Sequence, residues 1–227
     1  VRKGYAAGFK NIISQVNDML PRTEVVGEGG IRREVPIYPE PAIRELITNV
    51  LIHQDFSITG SGPMVEIFSD RMEITNPGMP LVKPDRFLDS PPRSRNEALA
   101  SFMRRIGVCE ERGSGVDKVV SETEHHQLPA PLFENPEGFT RAVLFAHKTL
   151  REMDRADRNR ACYLHACLRY VERDPMTNST LRARLGISEP NKATASRIIS
   201  DAIKEGLVKP EDQHQGKKYA KYQPFWA

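Results

Sequence analysis

The chain has 227 residues, 39% apolar and 28% charged, which is enough for one or two apolar cores and includes no run long enough to span a membrane. The three cysteines, Cys109, Cys162 and Cys167, are odd in number and lack metal-ligand spacing, which favours reduced thiols in a cytoplasm over a disulfide framework or a zinc site. The chain starts at Val1 without a signal-peptide pattern, and we interpret it as a fragment that lacks an N-terminal domain.

Charge is unevenly distributed along the chain. The net charge is +3, from 33 Lys/Arg and 30 Asp/Glu. Residues 151–227 hold 15 Lys/Arg and 10 Asp/Glu, a net of +5, whereas residues 1–150 hold 18 and 20, a net of −2. A basic C-terminal region suits a polyanionic partner, although a mildly basic module is also common without one.

The first part of the chain alternates helical and strand-like patterns. Apolar spacing predicts a helix over 8–20, and a Gly-rich turn separates two strands at 24–26 and 32–37. Pro41 then opens a helix that reaches about His53. A hairpin of strands at 65–68 and 72–75 follows, and we expect Asn76-Pro77-Gly78 to end its second strand.

The next region predicts a long loop, two helices and a strand. Residues 80–92 are Pro-rich and poorly periodic, which is typical of a lid. Helices are predicted over 97–106 and 116–125, and a final strand over 139–145. Because no regular βαβ alternation occurs, the fold class is α+β, with helices on one face of a mostly antiparallel sheet. We place a domain boundary in the charged connector 150–158, which separates domains 1–150 and 151–227.

A polar stripe runs along the helix that starts at Pro41. Glu45, Asn49 and His53 are four residues apart and therefore share one helix face. Such a stripe is usually a solvated face, and His53 alone is best interpreted as a surface or core-edge histidine. Ordered motifs downstream favour a functional site instead.

Those motifs resemble the GHKL superfamily of ATP-binding domains, which includes gyrase, histidine kinases and MutL. Residues 44–55 resemble its N-box helix, Asn76-Pro77-Gly78 its first glycine box and Gly113-Ser114-Gly115 its second; Gly138-Phe139-Thr140 resembles the entry to its terminal strand. One divergent branch, labelled transcriptional regulators or RecG-related proteins, is similar over roughly residues 20–227. Its members join a Schlafen/AlbA-like domain, this ATPase-like domain and a winged helix. The resemblance implies a GHKL-like (Bergerat) α/β sandwich.

The resemblance also implies roles in binding ATP and Mg²⁺. Glu45 would be the general base that orients water, and Asn49 would offer its carbonyl oxygen to Mg²⁺. The remaining nucleotide-binding candidates are Asn76, Gly78, Arg95, Asn96, Gly113, Ser114, Gly115 and Thr140. Gly113-Ser114-Gly115 precedes the helix 116–125, and its backbone N–H groups at the helix N-terminus would face the phosphates. The alternative is that these residues form an ordinary turn into the helix.

Arg95 and Asn96 also carry an open alternative. Arg95 and Asn96 would reach the phosphates on lid closure, or they simply begin the next helix, with Asn96 as its cap.

Asn76 stands where the superfamily usually has Asp, which relaxes the expected selectivity for adenine because an amide both donates and accepts.

The C-terminal region predicts a winged helix-turn-helix. Helices are expected over 157–173, after Thr177 or Asn178, and over 189–205 with Ser188 as cap and Ile203 turned inward; strands follow near Leu207 and over 219–225. The third helix would enter the major groove, and the hairpin would contact the DNA backbone or the minor groove. The DNA-binding candidates are Asn191, Lys192, Thr194, Arg197, Lys217 and Lys218. Use of this module for dimerisation or protein contact is the alternative.

We therefore expect a cytoplasmic, nucleotide-responsive regulator that binds double-stranded DNA, with no membrane contact and with its oligomeric state open, a homodimer included. Nucleotide occupancy would bias residues 80–95 and, through the connector 150–158, the winged helix. An active Mg-dependent ATPase acting on DNA or protein, and an interaction module with a decayed pocket, are the alternatives. The sequence contains no Gly-x-x-x-x-Gly-Lys-Ser/Thr loop, so a Walker-type helicase motor is not encoded in it.

Overall fold

The structure is a computed structural model that describes residues 4–26, 32–91, 93–109, 115–212, 216 and 220–227. The chain divides into two compact units. The first contains Val1–Glu122 and Pro131–Ala146, and the second contains Thr123–Ala130 and His147–Ala227. Among the described residues, no helix combines the length and apolar character needed to cross a bilayer.

The first unit begins with a helix, a hairpin and a second helix. These elements are α1 (Tyr5–Met19), β1 (Arg22–Val26), β2 (Arg32–Pro36) and α2 (Glu40–His53). The two strands pair antiparallel, as predicted. Apolar residues at helical spacing bury one face of α1 and most of α2, and α1 packs on α2.

A four-stranded antiparallel sheet forms the rest of the first unit, with strand order β3-β4-β6-β5. Its elements are β3 (Met64–Ile67), β4 (Arg71–Pro77), α3 (Glu97–Arg105), α4 (Gly115–His125), β5 (Leu132–Glu134) and β6 (Phe139–Phe145). Helix α2 packs on β4, the best buried strand, which agrees with the predicted α+β layers. The last turn of α4 belongs to the second unit.

The prediction that Asn76-Pro77-Gly78 ends the hairpin's second strand was wrong. Strand β4 continues through Pro77, because Asn76 and Pro77 pair with Thr140 and Phe139 of β6. Proline is tolerated there since β3 pairs with β4 only as far as Thr75, so Pro77 lacks a strand neighbour on that side.

The second unit consists of three helices and a three-stranded antiparallel sheet with strand order β7-β9-β8. Its elements are α5 (Arg155–Val171), β7 (Met176–Thr177), α6 (Asn178–Arg184), α7 (Lys192–Lys204), β8 (Val208–Pro210) and β9 (Lys221–Pro224). Asp154 caps α5 by accepting from the Asp157 amide, and Thr177 and Thr180 form a capping box on α6.

Two details of the third helix of this unit were predicted wrongly. The segment Glu189–Asn191 is a 3-10 turn, so α7 begins at Lys192, and Ser188 makes no side-chain cap. Ile203 is 36% exposed rather than turned inward, because Ala195, Ile198, Ile199 and Ala202 already fill the buried face of the helix.

Candidate nucleotide-binding site

The polar stripe of α2 is not a solvated face. The Glu45 residue is only 4% exposed, while Asn49 and His53 are half-buried. Burial of a carboxylate is unfavourable unless charged or polar groups compensate for lost water. The Lys118 ammonium on α4 lies 4.0 Å from Glu45 Oε1 and supplies part of that compensation.

The first residue of α4 lies directly against this stripe. A Cβ atom at Gly115 would be 2.8 Å from Glu45 Oε2 and 3.6 Å from Asn49 Nδ2. Since real Cβ atoms essentially never approach an oxygen that closely, any other residue at 115 would displace the carboxylate. Glycine at this position therefore lets the α4 N-terminus, the positive end of the helix dipole, approach Glu45.

Two cavities adjoin the stripe. The smaller has a volume of about 200 Å³ and a mostly apolar lining. Its walls include Leu46, Val50, Ile74, Asn76, Met79, Leu81, Phe87, Arg95, Val116, Phe133, Thr140 and Arg141. The larger has a volume of about 800 Å³ and a more polar lining that includes Glu45, Ser94, Glu97, Ser101, Arg104 and Cys109.

The two cavities share part of their walls. Asn49, His53, Leu81, Arg93 and Gly115 line both of them. One polar and one apolar compartment thus meet at the contact between α2 and α4. A ligand with an apolar ring at one end and charged groups at the other matches this arrangement.

Asn76 and Thr140 lie opposite each other on β4 and β6, in the wall of the apolar cavity. Asn76 is 2% exposed, and its Nδ2 donates to the Pro77 carbonyl at 3.1 Å. The side-chain oxygen of Asn76 is therefore the atom left to accept a bond from a ligand. The Thr140 hydroxyl donates to the Gly78 carbonyl at 2.8 Å, which secures the end of β4 to β6.

Gly78 forms a tight corner after β4. It has φ +110°, and a Cβ there would lie 2.9 Å from Asp55 Cβ and 3.3 Å from the Asp55 amide nitrogen. The Asp55 amide donates to the Pro77 carbonyl at 2.8 Å, which holds the chain after α2 against the end of β4. Gly78 does not line either cavity and acts by allowing this close approach.

Arg95 and Asn96 connect the region before α3 to the end of α2. Arg95 donates to Asp55 Oδ2 at 3.1 Å and to the Met79 carbonyl at 2.5 Å while lining the apolar cavity. Asn96 occupies the N-cap position of α3 but makes no capping bond, so the capping alternative was wrong. Its Nδ2 instead donates to the carbonyls of Ile52 and Gln54, at 2.6 and 2.9 Å, because these groups at the end of α2 lack helical partners.

The structure thus brings Glu45, Asn49, Asn76, Gly115 and Thr140 to the cavities, together with Arg95. Gly113 and Ser114 lie outside the described residues. Sequence reasoning missed Arg93, Arg104, Arg141, Phe87 and Phe133 as wall residues. The predicted lid 80–92 and the predicted helix 97–106 contain Phe87 and Arg104, but neither pattern shows which side chains face a cavity.

The candidate DNA-binding residues lie in the second unit. Asn191, Lys192 and Arg197 are exposed, and Thr194 is half-buried. Asn191 belongs to the 3-10 turn, where its Nδ2 donates to Ser188 Oγ at 3.1 Å, while Arg197 donates to Thr194 Oγ1 at 3.4 Å. Lys217 and Lys218 lie outside the described residues.

Comparisons with known proteins support the ATPase-like part of this description. Residues 60–144 match the family model described as "Putative ATP-dependent DNA helicase recG C-terminal". That segment runs from just before β3 almost to the end of β6, and the match supports a GHKL-type ATPase-like domain in this chain. No curated protein matches the sequence.

One solved structure shows a similar fold. The crystal structure of the DIP2311 protein from Corynebacterium diphtheriae is 19% identical, with a TM-score of 0.57. The similarity covers 96% of this chain and 45% of that one, so the chain spans less than half the length of that protein. At this identity the similarity concerns the fold alone.

The corner at Gly78 predicts a specific loss of stability. We expect Gly78→Ala to lower the free energy of unfolding by about 3 kcal/mol, because a left-handed φ and a contact with Asp55 backbone both oppose a Cβ. Gly60→Ala is the matched control, since Gly60 has φ +81° but open space around it, and should cost about 1 kcal/mol. Urea unfolding measures both, and equal losses would contradict the importance of the close approach.

His53 predicts a pH dependence. Burial, and then the nearby Arg95 charge, lower the pKa of His53 below its ordinary value of 6.5. The folded chain therefore binds fewer protons here than the unfolded chain, so stability falls as the pH drops from about 6.5 to the lowered folded pKa. We expect wild type to lose more unfolding free energy than His53→Gln between about pH 7.5 and about pH 5.5. Identical pH profiles from urea unfolding would contradict this.

Proposed function

We propose that the first unit binds a nucleotide, ATP with Mg²⁺, and that the second unit is a winged helix that binds double-stranded DNA. The chain would then be a nucleotide-responsive, DNA-binding regulator that acts in the cytoplasm, where both ligands occur. One observation carries the nucleotide part: the buried Glu45 and the adjacent Asn49 meet the first residue of α4 where an apolar and a polar cavity join.

The two compartments match the two ends of a nucleotide. The apolar cavity, with Phe87 and Phe133 in its wall, suits a base, and the polar cavity suits phosphates. Asn76 suits adenine, because its side-chain oxygen can accept a hydrogen bond from an exocyclic amino group. The second N–H of Asn76 Nδ2 can still donate, so the amide keeps both a donor and an acceptor and the base preference stays relaxed.

The donors at the junction fit a magnesium ion held jointly with phosphates. Within the described ranges there is no group of three or more His, Cys, Asp or Glu side chains that could hold a metal by themselves. Mg²⁺ commonly uses one or two protein oxygens and completes its shell with water and phosphate. Asn49, which lines both cavities, would offer its side-chain oxygen to the ion, and the ion would neutralise phosphate charge.

ATP hydrolysis is a second candidate activity, favoured by the position of Glu45. A buried carboxylate that lines the polar cavity can accept a proton from a water molecule or orient it toward a terminal phosphate. Glu45 and Asn49 both remain at the cavity wall, which argues against a decayed pocket.

The DNA-binding part is supported by exposure and charge in the second unit. Helix α7 follows α6 after the turn at Gly186, which has φ +61°, and its N-terminal part exposes Lys192 and Arg197. An exposed helix of this kind, followed by β8 and β9, matches the arrangement of helix and hairpin in a winged helix. The basic character of residues 151–227 agrees with a polyanionic partner.

Calorimetry with Mg-ATP tests the nucleotide proposal. Wild type should bind, and Asn49→Ala should weaken binding by about 10-fold or more, because an oxygen ligand at the cavity junction is lost. Asn11→Ala, an exposed asparagine on α1, is the control and should leave the affinity unchanged. Glu45→Gln should retain binding while reducing phosphate release if the chain hydrolyses ATP. No binding by wild type would overturn the proposal.

Salt-dependent DNA binding tests the second unit. The double variant Lys192→Ala, Arg197→Ala should weaken duplex binding and reduce the slope of log K against log salt by about 1 to 2. Lys204→Ala combined with Arg151→Ala removes the same charge from exposed positions elsewhere in the unit and should have a smaller effect. Equal effects of the two double variants, or no DNA binding by wild type, would contradict a recognition role for α7.

A further inference from the structure

We infer that Arg104 on α3, assisted by Arg93, binds the terminal phosphate of a nucleoside triphosphate and so makes the site selective for triphosphate over diphosphate. The inference rests on the proposed function, because it assigns a specificity to the same cavities. It concerns residues to which the sequence motifs gave no role.

Helix α3 presents a polar face to the larger cavity. Glu97, Ser101 and Arg104 all line it, and their spacing of four and then three residues places them on one side of the helix. The same cavity is lined by Glu45 and Asn49 of α2. The Arg104 guanidinium therefore shares a compartment with the proposed catalytic and magnesium-binding groups.

The C-terminal end of α3 is held in place by α2. The Arg44 side chain donates to the carbonyls of Gly107 and Val108, at 2.8 and 3.3 Å. Gly107 has φ +70°, which allows the tight turn, and Val108 is buried. Because Arg44 precedes Glu45 on α2, the end of α3 that carries Arg104 is fixed to the helix that carries the carboxylate.

Among the described residues, no carboxylate forms an ion pair with Arg104 or Arg93, and both residues are exposed. In contrast, Arg95 is engaged by Asp55, and Arg44 by two carbonyls. Arginine binds phosphate oxygens with two parallel hydrogen bonds, so these two residues suit a phosphate in the larger cavity.

The order of the residues along the cavities indicates which phosphate this is. Asn76 and Thr140 line only the apolar cavity, Asn49 and Arg93 line both, and Arg104 lines only the polar one. A nucleotide with its base at Asn76 and its magnesium ion at Asn49 would extend its last phosphate toward Arg104. A diphosphate would end nearer the junction, where Arg93 is still available.

Calorimetry with Mg-ADP and with a non-hydrolysable Mg-ATP analogue tests the inference. Arg104→Ala should weaken binding of the analogue by about 10-fold or more, because a charge-assisted phosphate contact is lost, and should leave ADP affinity within about twofold. Arg104→Lys should show a smaller loss, since it keeps the charge. Arg105→Ala, the next exposed residue of α3 and not part of either cavity, should match wild type for both ligands.

The possible failures are distinguishable. If wild type binds both nucleotides but Arg104→Ala weakens them equally, or weakens neither, the inference is wrong and the proposed function stands. If wild type binds neither nucleotide, both fail. Unchanged thermal unfolding of Arg104→Ala would show that a selective loss reflects the contact and not the fold.

Discussion

The contact between Gly115 and Glu45 is the constraint on which the candidate site depends. A single additional carbon at position 115 would lie 2.8 Å from a carboxylate oxygen of a residue that is only 4% exposed. The chain thus combines a buried charge on α2 with the bare backbone at the start of α4. Asn49 and Gly115 line the junction of the two cavities, beside this close approach.

This arrangement explains how a carboxylate is retained in a mostly apolar layer. Desolvation alone would favour an apolar residue at position 45, as at its neighbours Leu46 and Ile47. The Lys118 ammonium and the N-terminus of α4 both favour a negative charge here.

The sequence predicted much of the fold because its longer elements have strong periodicity. Helix α2 and the β3–β4 hairpin were placed within a few residues of their observed bounds. Strands β5 and β7 were missed because three and two residues are too short to show an alternating pattern. The extension of β4 through Pro77 also escaped prediction, since it depends on pairing with β6, which is distant in sequence.

The candidate site was predictable where a local motif carries it and not elsewhere. Glu45, Asn49 and Gly115 followed from spacing and resemblance, whereas Arg93 and Arg104 became visible only once tertiary packing had formed the cavities. The side-chain partners of Asn96 could not be inferred either, because the carbonyls of Ile52 and Gln54 lie more than 40 positions earlier in the chain. Local sequence patterns therefore identify residues whose side chains could bind a nucleotide, and tertiary packing determines which of those side chains line the same cavity.

The division of the chain into units also differs from a simple boundary near residue 150. Helix α4 begins at the two cavities of the first unit, but its last turn counts with the second unit, where Glu124 contacts His165 and Arg184. Arg184 is 4% exposed and also donates to the Leu128 carbonyl at 2.7 Å. Residues 115–122 of this helix count with the first unit and residues 123–125 with the second.

The central claim is that the junction at Glu45, Asn49 and Gly115 is where nucleotide binds. An amide NMR titration of the isotope-labelled chain with Mg-ATP tests it most directly. The account predicts saturable shifts for residues that line the two cavities, Asn49, Asn76, Gly115, Val116 and Thr140 among them. An unchanged spectrum, or shifts confined to residues remote from both cavities, would contradict it.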